Sequence, residues 1–232
     1  MFEDFIRILV FMQRSLSNKC PVTIGVNKKR NIENIMIGDM SEFHVYDIQG
    51  NEIGAKVDMD YREIIHYDKN FYYSKKLGFD KIWQYYERYK NGKSTDMEGR
   101  IVRAILEAGK SVICQDINDS IVSLSIGYES LFTYDKNSLY APGITANIAE
   151  RTAFLCEKEC LARIELSKFI KKMYASRSDV VHGKEAETLI THYQRGLRTL
   201  HRCIHALLTR PELIKLKTFD QVTTWIEKKR FK

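Results

Sequence analysis

The residues best suited to chemistry lie together in the run Tyr174-Ala-Ser-Arg-Ser-Asp-Val-Val-His-Gly183 of this 232-residue chain. An arginine presents a planar fork of donors that matches phosphate oxygens, and a histidine near its ordinary pKa both takes and gives a proton at neutral pH. Leu166, Phe169, Ile170, Met173, Val180 and Val181 recur at about 100° per residue, which predicts one long amphipathic helix over about 160–182. Arg177 falls near the middle of the apolar face, where a charge needs a partner. His182 lies roughly 140° around the helix from Arg177, so the two meet only near the helix end or across a second chain. Gly183 is a candidate left-handed cap. It puts His182 in the last turn, where the carbonyl end of the helix favours imidazolium.

The spacing Arg177-x4-His182, with Tyr174 before it and Gly183 after it, resembles the motif of the HEPN superfamily, and most of all that of its Apea-like branch. The resemblance runs over roughly residues 97–232. It takes in Gly127-Tyr-Glu-Ser-Leu-Phe132, similar to the family's helix with an acidic residue, and Ile148-Ala-Glu-Arg-Thr-Ala-Phe-Leu155, similar to its R-x-A-x-L-L helix. The resemblance implies metal-independent RNA cleavage by a homodimer whose two motif helices face each other across a cleft. The residue types suit that chemistry on their own account. The 2′-OH must lose a proton, the pentacoordinate phosphate must be neutralised and the 5′-oxygen must gain a proton. His182 is the candidate base or acid, and Arg177 the phosphate-binding group. Ser178 is a candidate second donor to the phosphate. Glu129 either pairs with Arg177 or is solvated, and Asp179 and Tyr174 are candidates to orient neighbours. No metal or other cofactor is expected. The bland reading of the motif is that Arg177 and His182 only cap a helix and bridge a neighbour. The alternative function is a non-catalytic helical module that binds RNA or a partner protein, and a further reading has the chain neutralised by an antitoxin-like partner.

Charge is uneven along the chain. Residues 161–232 hold 16 Lys/Arg against 7 Asp/Glu, whereas residues 1–160 hold 21 against 23, so the net +7 gathers around the motif. A basic surface there attracts polyanions such as RNA, with a solvated helix face as the plainer reading. Arg195, Arg198 and Arg202, with His205, form a stripe at helical spacing and are candidate contacts to the RNA backbone. His201 and His205 have the four-residue spacing of a chelating pair, but with no acidic third ligand in the segment they read as a packed or solvated pair. His44 and His66 read as structural or surface histidines. The five cysteines lack paired C-x2-C spacing and read as free thiols, although Cys156 and Cys160, one turn apart, could share a helix face. No apolar run reaches the 18 residues of a membrane span, and the N-terminus carries acids where a signal peptide carries cations. A cytoplasmic protein with no membrane partner is the expectation.

The elements that must position these groups follow from periodicity. A short helix is expected over residues 2–16, with Cys20-Pro21 ending it. Short apolar runs at Val22–Val26, Ile32–Ile37, Phe43–Ile48 and around Ile64–Tyr72 read as strands or irregular loops, with a turn at Gln49-Gly50-Asn51. Phe79, Ile82, Trp83, Tyr86 and Tyr89 predict a helix with an aromatic stripe, and Thr95 or Asp96 a cap for the next. From there helical periodicity dominates, interrupted at Tyr140-Ala-Pro-Gly143. The fold expected is mainly α: a small mixed α/β region over 1–93, then a HEPN-like bundle of about five or six helices over 94–232.

Overall fold

The periodic runs fold as helices in the computed structural model of the chain, which describes residues 2–14, 24–25, 34–37, 42–46, 52–57, 63–66, 78–114, 116–133, 143–182 and 189–231. Those helices are α1 (Phe2–Arg14), α2 (Phe79–Lys90), α3 (Asp96–Ile113), α4 (Ile117–Phe132), α5 (Ile144–Cys156), α6 (Cys160–Val181), α7 (Leu189–Thr209), the single turn α8 (Pro211–Ile214) and α9 (Phe219–Arg230). The described chain is thus mainly helical. The motif's Gly183, the Cys20-Pro21 stop, the Gln49-Gly50-Asn51 turn and Tyr140-Ala-Pro142 lie outside the described residues.

Local chemistry sets the helix starts. Thr95 opens α3 with a capping box: its hydroxyl accepts from the Glu98 amide at 3.3 Å, and the Glu98 carboxylate accepts from the Thr95 amide at 3.0 Å. The same carboxylate holds both arms of Arg88, at 2.7 and 3.1 Å, which fastens α2 to the start of α3. Asp116 caps α4 and Thr218 caps α9. Gly143 precedes α5 at φ +98°, a backbone conformation that glycine adopts without strain.

Between α1 and α2, five short strands are described: β1 (Ile24–Gly25), β2 (Asn34–Ile37), β3 (Glu42–Tyr46), β4 (Glu52–Val57) and β5 (Glu63–His66). They pair antiparallel in the order β1-β2-β5 and, separately, β3-β4.

The core gathers around α3 and α4, which pack along each other, with α1 and α2 against α3 and with α6 and α7 against α4. Ile8, Leu9, Phe11 and Met12 of α1 and Phe79, Ile82 and Tyr86 of α2 are buried in the same cluster as the later helices. A division at 93/94 therefore cuts through one core, because the polar run 90–96 is a tight corner between packed helices. The α1–α3 crossing is close: a Cβ on Gly109 would sit 2.1 Å from the Arg7 carbonyl oxygen. Buried tyrosines pin the remaining helices by donating to backbone carbonyls. Tyr128 reaches Gly196 at 2.8 Å, Tyr193 reaches Ser111 at 3.0 Å and Tyr174 reaches Ser125 at 3.2 Å. Each hydroxyl is satisfied, which a buried polar group requires.

Candidate functional site

Helix α6 carries the motif, and burial along it follows the apolar stripe until the last turn. Leu166, Phe169, Ile170, Met173 and Tyr174 are buried and Val180 is half-buried against the core. Val181, expected in the stripe, is instead 57% exposed. The neighbouring helices no longer cover α6 there, so an inward-facing position opens to solvent. His182 is the C-cap residue, with its amide donating to the Ser178 carbonyl at 3.1 Å and its side chain exposed. Ser178 is exposed and Asp179 half-buried.

Arg177 sits on the apolar face, half-buried, with its Nε enclosed and bonded to nothing. The Nε atoms of Arg7 and Arg163 are likewise enclosed without a hydrogen bond, but there the rest of the guanidinium is engaged: Nη2 of Arg7 pairs with Glu3, and Nη2 of Arg163 donates to the Lys158 carbonyl while its guanidinium lies 4.6 Å over the Phe154 ring. Glu129, on α4, is half-buried and within electrostatic reach of Arg177. Burial pushes its carboxyl above the usual range, and the Arg177 charge pulls the other way. No hydrogen bond or ion pair joins Glu129 and Arg177 among the described residues, so the pairing considered for Glu129 is not formed. Tyr174 completes the group; burial, and then the Glu129 charge, hold its hydroxyl well above the ordinary value. Tyr174, Glu129 and Arg177 are thus brought together, whereas Ser178 and His182 stand on the exposed side of the same helix end. The 140° separation along α6 keeps His182 away from Arg177 within one chain.

A second histidine near the motif carries no local signature. Ser176, buried at 6% exposure, has its hydroxyl 2.7 Å from Nδ1 of His192 on α7 and 3.3 Å from the Lys172 carbonyl. His192 also meets the Phe169 ring edge-on at 6.0 Å. Burial, with the Lys172 and Arg195 charges, lowers its pKa, so its imidazole is neutral at pH 7. Antiparallel packing of α6 and α7 makes this pair, and no spacing in the sequence marks it.

The basic stripe on α7 divides by role. Arg202 donates to the Glu157 carboxylate at 2.7 Å and to the Cys156 carbonyl at 3.0 Å, so its fork holds the α5–α6 corner. Arg195 lies 4.1 Å over the Phe169 ring, and both Arg195 and Arg198 are exposed. His201 faces inward, 5.6 Å from the Phe11 ring and 6.3 Å from the stacked His205 ring; burial pushes its pKa down to about 4. Only His201 is packed, His205 being exposed, and no group of three metal-ligating side chains occurs among the described residues. Cys156 and Cys160 do not share a helix face, because α5 ends at Cys156 and α6 begins at Cys160. Cys160 is exposed, and Cys156 instead meets Cys203.

Two further arginines explain why the segment around Arg151 is built as it is. Arg151 donates to the Phe132 carbonyl and Arg100 to the Thr133 carbonyl, closing the C-terminal end of α4. Their guanidinium carbons lie 4.8 and 4.6 Å over the Phe219 ring. These cations fasten α9 to α4 and are not open to a ligand.

No helix of the described residues is long and apolar enough to cross a membrane. Comparison with protein-family models, with curated proteins and with solved structures finds no match.

Proposed function

We propose that the chain is a HEPN-type endoribonuclease of the cytoplasm that cleaves RNA without a metal by attack of the 2′-OH, acting in antiphage defence or as a toxin held in check by a protein partner. The fold this reading requires is a HEPN-like bundle preceded by a small mixed α/β region. The observation that carries it is Arg177: a half-buried guanidinium on the inner face of α6, its Nε enclosed and unbonded, within electrostatic reach of the Glu129 carboxyl, whose pKa burial raises. The solvent-reaching remainder of this guanidinium is the part that an anionic oxygen meets, and a phosphodiester supplies one. His182, exposed at the end of the same helix, is the proton-transfer group, and Ser178 beside it a second donor. Because His182 and Arg177 face apart on α6, the reading includes a homodimer in which each copy completes the other's site. Arg195 and Arg198 contact the RNA backbone; Arg202, tied to Glu157, contributes less.

The same facing apart favours the second reading, a helical module that binds RNA or a protein partner without cleaving it. Incubating purified protein with total RNA in EDTA, beside His182→Ala, separates the two. The enzyme reading expects cleavage that survives chelation, leaves 2′,3′-cyclic phosphate ends and falls about 10²–10⁴-fold in the variant. Intact RNA with the parent protein, or equal cleavage by the variant, gives precedence to the binding module.

A further inference from the structure

We infer that Cys156 and Cys203 form an oxidisable dithiol, which a small hydroperoxide converts to a disulfide tying the end of α5 to α7. The Sγ atoms lie 3.3 Å apart although the residues are 47 apart in the chain. Reaching a bond length of about 2.0 Å needs a shift of roughly an ångström. Among the described residues Cys160, exposed on the first turn of α6, has no such neighbour.

The two thiols differ in a way that assigns their roles. Cys156 keeps 8% of its surface exposed, while Cys203 is wholly buried. The hydrogen bond from Cys203 lowers the Cys156 pKa against the effect of burial, and the Arg202 charge adds to it. Burial holds the Cys203 thiol well up. Thiolate character follows the lower pKa, so Cys156 is the attacking sulfur and Cys203 the resolving one. The part of Cys156 that stays exposed is the route for a small oxidant, and the next residue, Glu157, lines an open cleft of about 430 Å³ with Lys158 and Arg210.

The reaction balances with a hydroperoxide as the oxidant. The Cys156 thiolate attacks the terminal peroxide oxygen, an S–O bond forms as the O–O bond breaks, and the departing oxygen leaves as water or alcohol after taking a proton. Cys203 then attacks the sulfenic sulfur; the S–S bond forms, the S–O bond breaks, and the leaving hydroxide takes the Cys203 proton as water. Two thiols lose two electrons in all, and the peroxide gains them.

The test uses the full-length protein, reduced and then freed of reductant. It is exposed to hydrogen peroxide, denatured with an alkylating agent, digested and mapped by mass. The expected product is 2 Da lighter by loss of two hydrogens before alkylation, carries a crosslinked Cys156–Cys203 peptide, and leaves Cys20, Cys114 and Cys160 alkylated. Its melting temperature rises by about 5–10 °C and returns on adding dithiothreitol. In Cys203→Ala, which has no resolving thiol, dimedone labels Cys156; if that variant does not fold, the map of the parent protein decides alone. The inference is overturned if both thiols stay alkylatable at peroxide levels that over-oxidise Cys160. It is equally overturned if the crosslink maps to Cys160 or to a second chain, or if closing the bond lowers the melting temperature.

Discussion

On the proposed reading, replacing Arg177 by methionine should stabilise the fold while removing the action on RNA that this reading gives it. The enclosed Nε makes no hydrogen bond, and a buried donor without a partner costs about 1–3 kcal/mol. Because the rest of the half-buried side chain reaches solvent, the lower part of that range applies. Methionine keeps the unbranched stem, so no cavity opens beneath Met173 and Ile170 on the same face. Against this gain, Glu129 loses the one charge that offsets its burial. It then holds its proton to higher pH, which is a small loss because the pair is not in contact. The balance is about 1 kcal/mol in favour of the variant, or a melting temperature higher by roughly 2–4 °C for a chain of this size. Calorimetry gives the stability, and single-turnover cleavage with RNA titration gives the function. A variant that loses more than about 1 kcal/mol while handling RNA like the parent would mean that Arg177 is a structural cation, and the site reading would fall with it.

His201 should make the fold sensitive to mild acid. Its pKa falls from 6.5 unfolded to about 4 folded, so its contribution is fully present above pH 6.5 and is lost as pH drops through 4, about 3 kcal/mol in all. His201→Phe, packed on Phe11, should flatten that part of the stability–pH curve; an unchanged slope in urea titrations would contradict the burial argument. Glu129 has the opposite sense: its folded pKa is raised, so its favourable contribution is complete below the ordinary 4.5 and disappears as pH rises through the folded value. Glu129→Gln should therefore match the parent in acid and exceed it in urea midpoint near neutrality, and coincident midpoints at pH 7 would refute it. Gly109→Ala places a Cβ 2.1 Å from the Arg7 carbonyl oxygen and should cost about 3 kcal/mol or more as α1 is pushed off α3. A loss under about 0.5 kcal/mol by denaturant unfolding would show that α1 does not cross there.

The helices were legible wherever the determinant was local. In α2 the stripe of Phe79, Ile82 and Tyr86 is buried as its spacing demands, and Thr95 caps α3 through a box written in four consecutive residues. What could not be read depended on partners distant in sequence. The four-residue rule for Cys156 and Cys160 presupposes one helix, and the break after Cys156 voids it; the thiol that matters, Cys203, is supplied by α7. From sequence Arg202 reads as an RNA-backbone contact in a basic stripe, because its acceptors, Glu157 and the Cys156 carbonyl, are some 45 residues away. Ser176 and His192 meet only because α6 and α7 are antiparallel neighbours. Of the candidate site, the position of Arg177 on the inner face and of His182 outside followed from helix geometry alone. The exposure of Val181 did not, since periodicity records which way a residue faces and not where its neighbours end.

Local and global preferences agree along most of α6 and part company in its last turns, which is where a functional site is expected to disturb an otherwise consistent sequence. Arg177 needs an acceptor that the described residues do not give it, and Val181, 57% exposed, needs an apolar cover. The two lie four residues apart, so they share a side of the helix. A phosphate alone would meet the first need and leave the second. A protein partner alone would cover the valine, but unless it also brings an anion it would leave the guanidinium open. On the proposed reading, a second copy of α6 covers Val181 while the RNA that both copies hold supplies the oxygen for Arg177, and His182, useless to Arg177 of its own chain, is carried toward the Arg177 of the other. The binding-module reading meets both needs only with a partner that is apolar and acidic at adjacent positions. Covering Val181 is therefore common to both, and what distinguishes them is whether the acceptor for Arg177 arrives as part of that partner or as the substrate.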